Sequence, residues 1–223
     1  MARSSSAAGS DQWRRWIAEG TQSLGIDIDD RRIGLLESYA GGLIEAGRSV
    51  NLTSIDDPLE MAEILMLDSM VPGKYIDRAA SVLDLGTGAG IPGIPLKIAF
   101  PDLEMLLIDG RRKRINFVRY IIRQLGLENI GALHARAEEL VENREKFDVV
   151  VSRAVSSVQE LVRLASPLLK KGGMLMAMKG RGAQAEISRE GWLGNSRTAS
   201  DLRVESYRLP ELGIDRVLVM IRV

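Results

Sequence analysis

Apolar positions recur at helical spacing from Asp11 to about Asp68, and the pattern switches to short strand-like runs after Ser81. Trp13, Trp16 and Ile17 form one stripe. Ile33, Leu35, Leu36, Tyr39, Leu43 and Ile44 form a second, with Asp30 placed to cap that helix. Met61 to Met70 predicts a third helix, stopped at Pro72-Gly73. Ser81 to Gly86 (SVLDLG) is a short apolar run ending in glycine, as a buried parallel strand should be. Six further strands are predicted at Leu103–Ile108, Ile130–Leu133, Phe147–Val151, Met174–Met178, Leu202–Arg208 and Arg216–Arg222. Helices are predicted over Ile94–Phe100, Arg111–Leu125 and Val158–Leu169, with Gly126 ending the second and a Lys-Lys-Gly-Gly turn following the third. Strands alternating with helices imply an α/β fold with a mostly parallel seven-stranded sheet covered on both faces. The final strand pair suits a hairpin at a mixed edge. Residues 1–10 read as a flexible tail, 11–75 as a helical subdomain and 76–223 as the sheet domain.

Composition narrows the chemistry. Thirty basic and thirty acidic residues in 223 cancel, which excludes a uniformly basic nucleic-acid coat but leaves room for a local patch. The absence of cysteine excludes disulfide scaffolds, thiolate zinc sites and cysteine catalysis, and a single histidine, His134, excludes multi-histidine metal sites. No metal is expected. Asp27 to Asp68 carries ten acids and three arginines, so this front segment alone would repel phosphates and reads as a solvated helical surface. No run approaches eighteen apolar residues and Met1–Ser10 lacks an apolar signal core, so the expectation is a cytoplasmic monomer without membrane association.

The informative segment is Val82 to Pro95, VLDLGTGAGIPGIP. A strand runs into Gly86, Gly88 and Gly90, and a helix follows near Gly93. Such a turn lets a ligand approach backbone amides at a helix start. No Gly-Lys-Ser/Thr follows, so this is not a Walker A loop but a Rossmann-like turn. Asp109 ends the next strand, where an acid can grip the ribose hydroxyls of an adenosine cofactor. That arrangement serves NAD and S-adenosylmethionine alike. Two features favour the latter: Asp84 inside the first strand, suited to the loop or to a methionyl ammonium, and Glu138 as the acid that ends the third strand, suited to the adenine end.

The stretches NLTSIDDP, LDSM, VLDLGTGAGIPGIPLKIAFPDLEMLLID, KRINF, ARAEEL, FDVVVSRAV, LLKKGG and MKG run in order from Asn51 to Gly180. Together they resemble the bacterial family of small-subunit (16S) ribosomal RNA guanine-N7 methyltransferases (RsmG, formerly GidB). The resemblance implies a class I Rossmann-like methyltransferase fold with a small N-terminal helical subdomain. It implies S-adenosylmethionine contacts at Gly86, Ile91, Ala137, Glu138 and Arg153, and ribose contact at Asp109. Two pairs depart from the family's usual pattern: Ala46-Gly47 replaces Trp-Asn, and Ile64-Leu65 replaces Arg-His. The alternatives are another RNA or small molecule as acceptor, or a non-catalytic adenosyl-ligand-binding module on ribosomal RNA.

Guanine N7 has a lone pair and no proton, so methylating it needs no general base, and catalysis would come from alignment. Arg153, Lys179 and Asn51 are the candidate positioning residues, after the fourth and fifth strands and in the linker. For the RNA backbone, Arg111, Arg112, Lys113, Arg114, Arg119 and Arg123 place six positive charges within thirteen residues without an acid. Arg136, Arg181, Arg189 and Arg197 would extend that surface. His134 reads as peripheral, and Met174, Met176 and Met178 read as core filler.

Overall fold

A computed structural model describes residues 8–47, 52–142, 146–153, 157–182, 185–186 and 201–223. Seven strands form one sheet: β1 (Ser81–Leu85), β2 (Glu104–Asp109), β3 (Ile130–His134), β4 (Phe147–Arg153), β5 (Leu169–Gly180), β6 (Asp201–Arg208) and β7 (Asp215–Arg222). Their order is β3-β2-β1-β4-β5-β7-β6. The first five pair in parallel, and β7 runs antiparallel to both β5 and β6, so the expected hairpin makes the far edge mixed. Parallel connection places the carboxyl ends of β1, β2, β3, β4 and β5 along one edge, where open α/β sheets take their ligands.

The pleat sorts side chains to two faces. Val82, Leu107, Val149, Val151, Met176, Met178, Leu218 and Met220 share one core with Trp13, Ile17, Leu36, Tyr39 and the Met61–Val71 stretch. The helical segment is therefore continuous in packing with this face of the sheet. Leu83, Leu85, Ile108, Val150, Leu175, Ala177, Val219 and Ile221 form the opposite core with helices Ala137–Glu142 and Val158–Ala165. On the first face Met176 and Met178 are buried and Met174 packs partly buried against the same core, as the sequence suggests.

Three local readings change. Helix Asp30–Gly47 is capped by Asp29, whose carboxylate accepts from the Arg32 N–H at 2.8 Å, rather than by Asp30. The Lys-Lys-Gly-Gly segment lies inside β5, where the register against β4 shifts between Phe147 and Val149. Gly172 supplies a φ of 77° there, so a bulge replaces the expected turn. Helix Val158–Ala165 accordingly ends earlier, in a 3₁₀ turn at Ser166–Leu168.

The third front helix is irregular. Pro58–Glu60 is α-helical, Met61–Leu67 is a π-helix, Asp68–Met70 is α-helical again and Val71–Tyr75 is a 3₁₀ turn containing Pro72. In an α-helix Glu63 and Asp68 would point about 140° apart. The π turn bonds the Asp68 N–H to the Glu63 carbonyl, so residues five apart come to one side. Both acids then face the β6–β7 hairpin. Glu63 accepts from the N–H groups of Glu211 and Leu212 at 2.7 and 2.8 Å, and Asp68 accepts from Tyr207 and Arg216.

Candidate functional site

The glycine turn is built on strained backbone that its sequence makes inexpensive. Gly86, Gly88 and Gly90 have φ of 76°, 59° and 99°, the left-handed region that other residues resist. The turn is pinned to β2 by Gly86 and Thr87 N–H groups that both donate to the Ile108 carbonyl, at 3.0 and 2.9 Å. Tyr39 reaches in from the helical segment and donates its hydroxyl to the Ala89 carbonyl at 2.8 Å. A Cβ on Gly90 would lie 2.5 Å from Ile94 and 3.3 Å from the Tyr39 oxygen, so glycine is required there by space as well as by φ.

Asp84 anchors the other end of the turn. It is fully buried, and its Oδ2 accepts from the Thr87 hydroxyl at 2.6 Å and the Gly93 N–H at 2.8 Å. Its Oδ1 is buried and has no hydrogen-bond partner. Burial pushes the carboxyl up to about 7; the Thr87 and Gly93 hydrogen bonds oppose that rise, and the Asp109 charge adds to it. A buried carboxylate with one oxygen unmatched invites a cationic hydrogen-bond donor.

Asp109 is also buried and sits across the turn. Its Oδ2 accepts from the Gly88 N–H at 3.0 Å and from Arg114 at 3.2 Å, and its Oδ1 accepts from the Arg111 N–H at 2.8 Å. Arg114 thus differs from the other five cations of its segment. Arg111, Arg112, Lys113, Arg119 and Arg123 are exposed, whereas Arg114 is half-buried against the glycine turn. Arg119 is tied at its Nε to the Ala132 carbonyl of β3, 2.8 Å away.

The remaining candidates spread along the same edge. Ile91 is half-buried in the turn, and Ala137 is buried at the start of the helix after β3. Glu138 is exposed in the first turn of that helix, four residues beyond the end of β3 rather than at the strand end. His134 is exposed, with Nε2 3.1 Å from the Gly110 carbonyl. Lys179 near the end of β5 lies 3.5 Å from Glu186. Asn51, Arg189 and Arg197 lie outside the described residues.

Arg153 ends β4 and turns toward the helical segment. Its Nε lies 3.8 Å from Asp68 Oδ2, and its side chain is 14% exposed. Asp68 is completely buried and also receives Arg216 through Nε at 3.1 Å and Nη2 at 2.6 Å, and the Tyr207 hydroxyl. Burial lowers the Arg153 pKa, partly offset by the Asp68 charge. Burial raises the Tyr39 pKa; the Asp84 charge adds to that rise and Arg153 opposes it. Sequence reading assigned no role to Tyr39, Asp68, Tyr207 or Arg216. The one available signal was the pair of acids inside the apolar run MAEILMLDSM, since buried acids need partners.

Among the described residues, no group of three or more His, Asp or Glu side chains could hold a metal ion, and no helix is long and apolar enough to cross a membrane. A sheet of this order, with a glycine turn after β1 and an acid ending β2, is the Rossmann-like fold of methyltransferases. The solved structure of a precorrin-6y C5,15-methyltransferase from Geobacter metallireducens shares it, with a TM-score of 0.52 at 12% identity over 78% of this chain and 92% of that one.

Sequence comparison is more specific. The family model for rRNA small subunit methyltransferase G (GidB) matches residues 32–212. A relative from Lachnoclostridium phytofermentans, ribosomal RNA small subunit methyltransferase G, is 39% identical over 92% of this chain and 86% of its own length. A relative of the same name from Acetivibrio thermocellus is 36% identical over 94% and 88%. The chain belongs to the rRNA small subunit methyltransferase G family.

Proposed function

We propose that this protein transfers the methyl group of S-adenosylmethionine to N7 of a specific guanine in the 16S RNA of the small ribosomal subunit. The observation that carries the cofactor half is the unmatched, buried Asp84 Oδ1 beside a glycine turn that also faces Asp109. Family membership supports the RNA half.

The residues present fit this cofactor. Asp84 would take the methionyl ammonium on Oδ1 while Oδ2 keeps holding Thr87 and Gly93. Asp109 would accept the ribose hydroxyls, with Arg114 giving way from its 3.2 Å contact. Gly86, Gly88, Gly90 and Ile91 would line the turn, and Ala137 and Glu138 would flank the adenine. The cofactor supplies a methyl carbon made electrophilic by its sulfonium.

Arg153 is held by Asp68 at the carboxyl edge, where it sets the position of the cofactor's reacting end and the incoming base. Lys179 and Asn51 would complete the acceptor side. No residue removes a proton, because N7 carries none; the chain contributes alignment, which is worth several kcal/mol in barrier. An unpaired guanine is the easier acceptor, since extruding a stacked base costs roughly a few kcal/mol. The five exposed cations Arg111, Arg112, Lys113, Arg119 and Arg123 would hold the RNA backbone beside β2 and β3.

The test is transfer of a labelled methyl group to small ribosomal subunits lacking this enzyme's modification, followed by mapping of the label. Label on one guanine N7 is expected. Cofactor binding without label on any ribosomal RNA would overturn the reading in favour of another acceptor.

A further inference from the structure

A second charged site lies on the same edge of the sheet, away from the glycine turn. The carboxyl end of β5 and the adjoining ends of β6 and β7 form an open cleft of about 390 Å³ whose lining includes Arg181, Ser206, Tyr207, Arg208, Asp215 and Arg216. Arg181 and Arg208 both reach for Asp215, the latter at 3.7 Å. The cleft's own lining therefore carries three guanidiniums against one carboxylate, while behind it Asp68 is shared by Arg216 and Arg153 and the Glu63 carboxylate is held by the Glu211 and Leu212 N–H groups of the hairpin. The neighbouring Lys179–Glu186 pair is neutral as a unit and does not offset that excess. Tyr207 stays protonated, since burial and the adjacent Asp68 both raise its pKa.

The two layers differ in rigidity. Arg216 is 17% exposed and locked through two donors on a fully buried carboxylate. Arg181 and Arg208 are 78% and 69% exposed. An exposed ion pair of that kind contributes little to stability and is readily exchanged for a stronger anion. Guanidinium forks match the oxygens of a phosphate.

Position selects the ligand. Strands lie about 4.8 Å apart, so β7 is three strands and roughly 14 Å from β1, and β6 roughly 19 Å. That is too far for a cofactor seated on the β1 and β2 turns, but within the reach of an RNA strand whose guanine enters beside Arg153.

We propose that this cleft is a phosphate subsite that holds the RNA backbone next to the methylated guanine, with Arg181 and Arg208 as exchangeable donors and Arg216, fixed by Asp68, as its floor. This rests on the RNA methyltransferase reading above. The site is separate from the cations of the Arg111–Arg123 segment, which lie at the β2–β3 side of the sheet, so Arg181 does not extend their surface as the sequence suggested. The acceptor strand would thus be gripped on both flanks of the cofactor.

The experiment measures binding of the full chain to small ribosomal subunits across a potassium chloride series, with S-adenosylmethionine affinity measured in parallel. Arg181→Ala/Arg208→Ala should weaken subunit binding about tenfold or more, as removal of charge-assisted hydrogen bonds does. It should also flatten the salt dependence by about 0.7 in log–log slope for each phosphate no longer neutralised, with cofactor affinity unchanged. Asp215→Asn removes the competing carboxylate and should do the opposite, binding tighter with a steeper slope. Wild-type affinity and slope in both variants would overturn the proposal. So would weaker binding with an unchanged slope, which would mean an interaction with protein or with a base. If methyl label maps to a ribosomal guanine while both variants bind as wild type, the subsite falls and the function stands. If the variants move as expected but no ribosomal RNA is labelled, the anion site stands and the assigned reaction falls.

Discussion

Asp84 gives the sharpest quantitative prediction, because in the proposed role one carboxylate would control both stability and cofactor affinity with opposite signs. Its pKa rises from 3.8 to about 7 in the folded chain, chiefly through burial. Folding therefore favours the protonated form. The stability linked to this group is fully present below about pH 4, is lost as pH rises toward 7, and stays lost above it. At about 1.4 kcal/mol per unit, the full loss is roughly 4 kcal/mol, of which about 2 kcal/mol falls between pH 5 and pH 7, since the folded carboxyl is itself half ionised at the upper limit. Asp84→Asn keeps an oxygen for Thr87 and Gly93 but cannot ionise. The stability of the variant relative to wild type should improve by about 3 kcal/mol between pH 5 and pH 8, read by denaturant unfolding without cofactor. The amide nitrogen would also face the cofactor ammonium, so S-adenosylmethionine affinity at pH 8 should fall by about tenfold to a hundredfold. Wild-type affinity should itself rise with pH through 7, with a proton released on binding, because the ammonium selects the ionised carboxylate. A pH-independent stability difference, together with flat wild-type affinity from pH 5.5 to 8, would refute the assignment of Asp84 as a desolvated counter-ion for the cofactor.

Four other substitutions probe the rest of the edge. Asp109→Ala removes the proposed acceptor for the ribose hydroxyls and should weaken S-adenosylmethionine binding by about 1.5–3 kcal/mol in calorimetry; wild-type affinity would take Asp109 out of the site. Tyr39→Phe leaves the buried Ala89 carbonyl without its donor, and should cost about 1–3 kcal/mol of stability while loosening cofactor binding. Asp68→Ala strands Arg153 and Arg216 without a counter-charge, and should cost about 3–5 kcal/mol, seen as a Tm drop of about 6–20 °C. Lys179→Ala should lower methyl transfer more than cofactor affinity, and equal losses would move Lys179 into the cofactor shell.

What the sequence made legible follows from how local each cause is. The glycine turn was readable because positive φ at Gly86, Gly88 and Gly90 is a backbone requirement that the residue type itself declares. Asp84 and Asp109 were readable because strand ends carry a fixed offset from that turn. The partners of these acids were not. Arg114 looks like one more cation in a basic run, and only its bond to the Asp109 carboxylate beside Gly88 separates it from Arg112 and Lys113. The β5 bulge was missed for a similar reason: Lys-Lys-Gly-Gly has the composition of a turn, and only the pairing of Leu169 and Met174 on either side of it with Phe147 and Val149 keeps it within one strand. The π-helix had no local signal at all, since Met61–Leu67 is as compatible with an α-helix, and it forms where Glu63 and Asp68 must both reach the hairpin.

The acidity of the front segment takes on a different meaning once these contacts are known. Ten acids between Asp27 and Asp68 read as a solvated face, yet Glu63 and Asp68 are completely buried. Glu63 holds the β6–β7 turn, Asp68 holds Arg153 and Arg216, and Tyr39 from the preceding helix holds the glycine turn. The helices therefore position the glycine turn and the Arg153–Arg216 cluster through buried polar contacts, each too costly to leave unmatched. The Ile64-Leu65 departure falls within this lever: Leu65 is packed in the shared core, on the same π-helical turn that carries Glu63 and leads into Asp68. Restoring Arg-His at these two positions would place two polar side chains against that core. Their effect on acceptor choice would then be transmitted through Asp68 rather than through the glycine turn, which the helical segment touches separately through Tyr39.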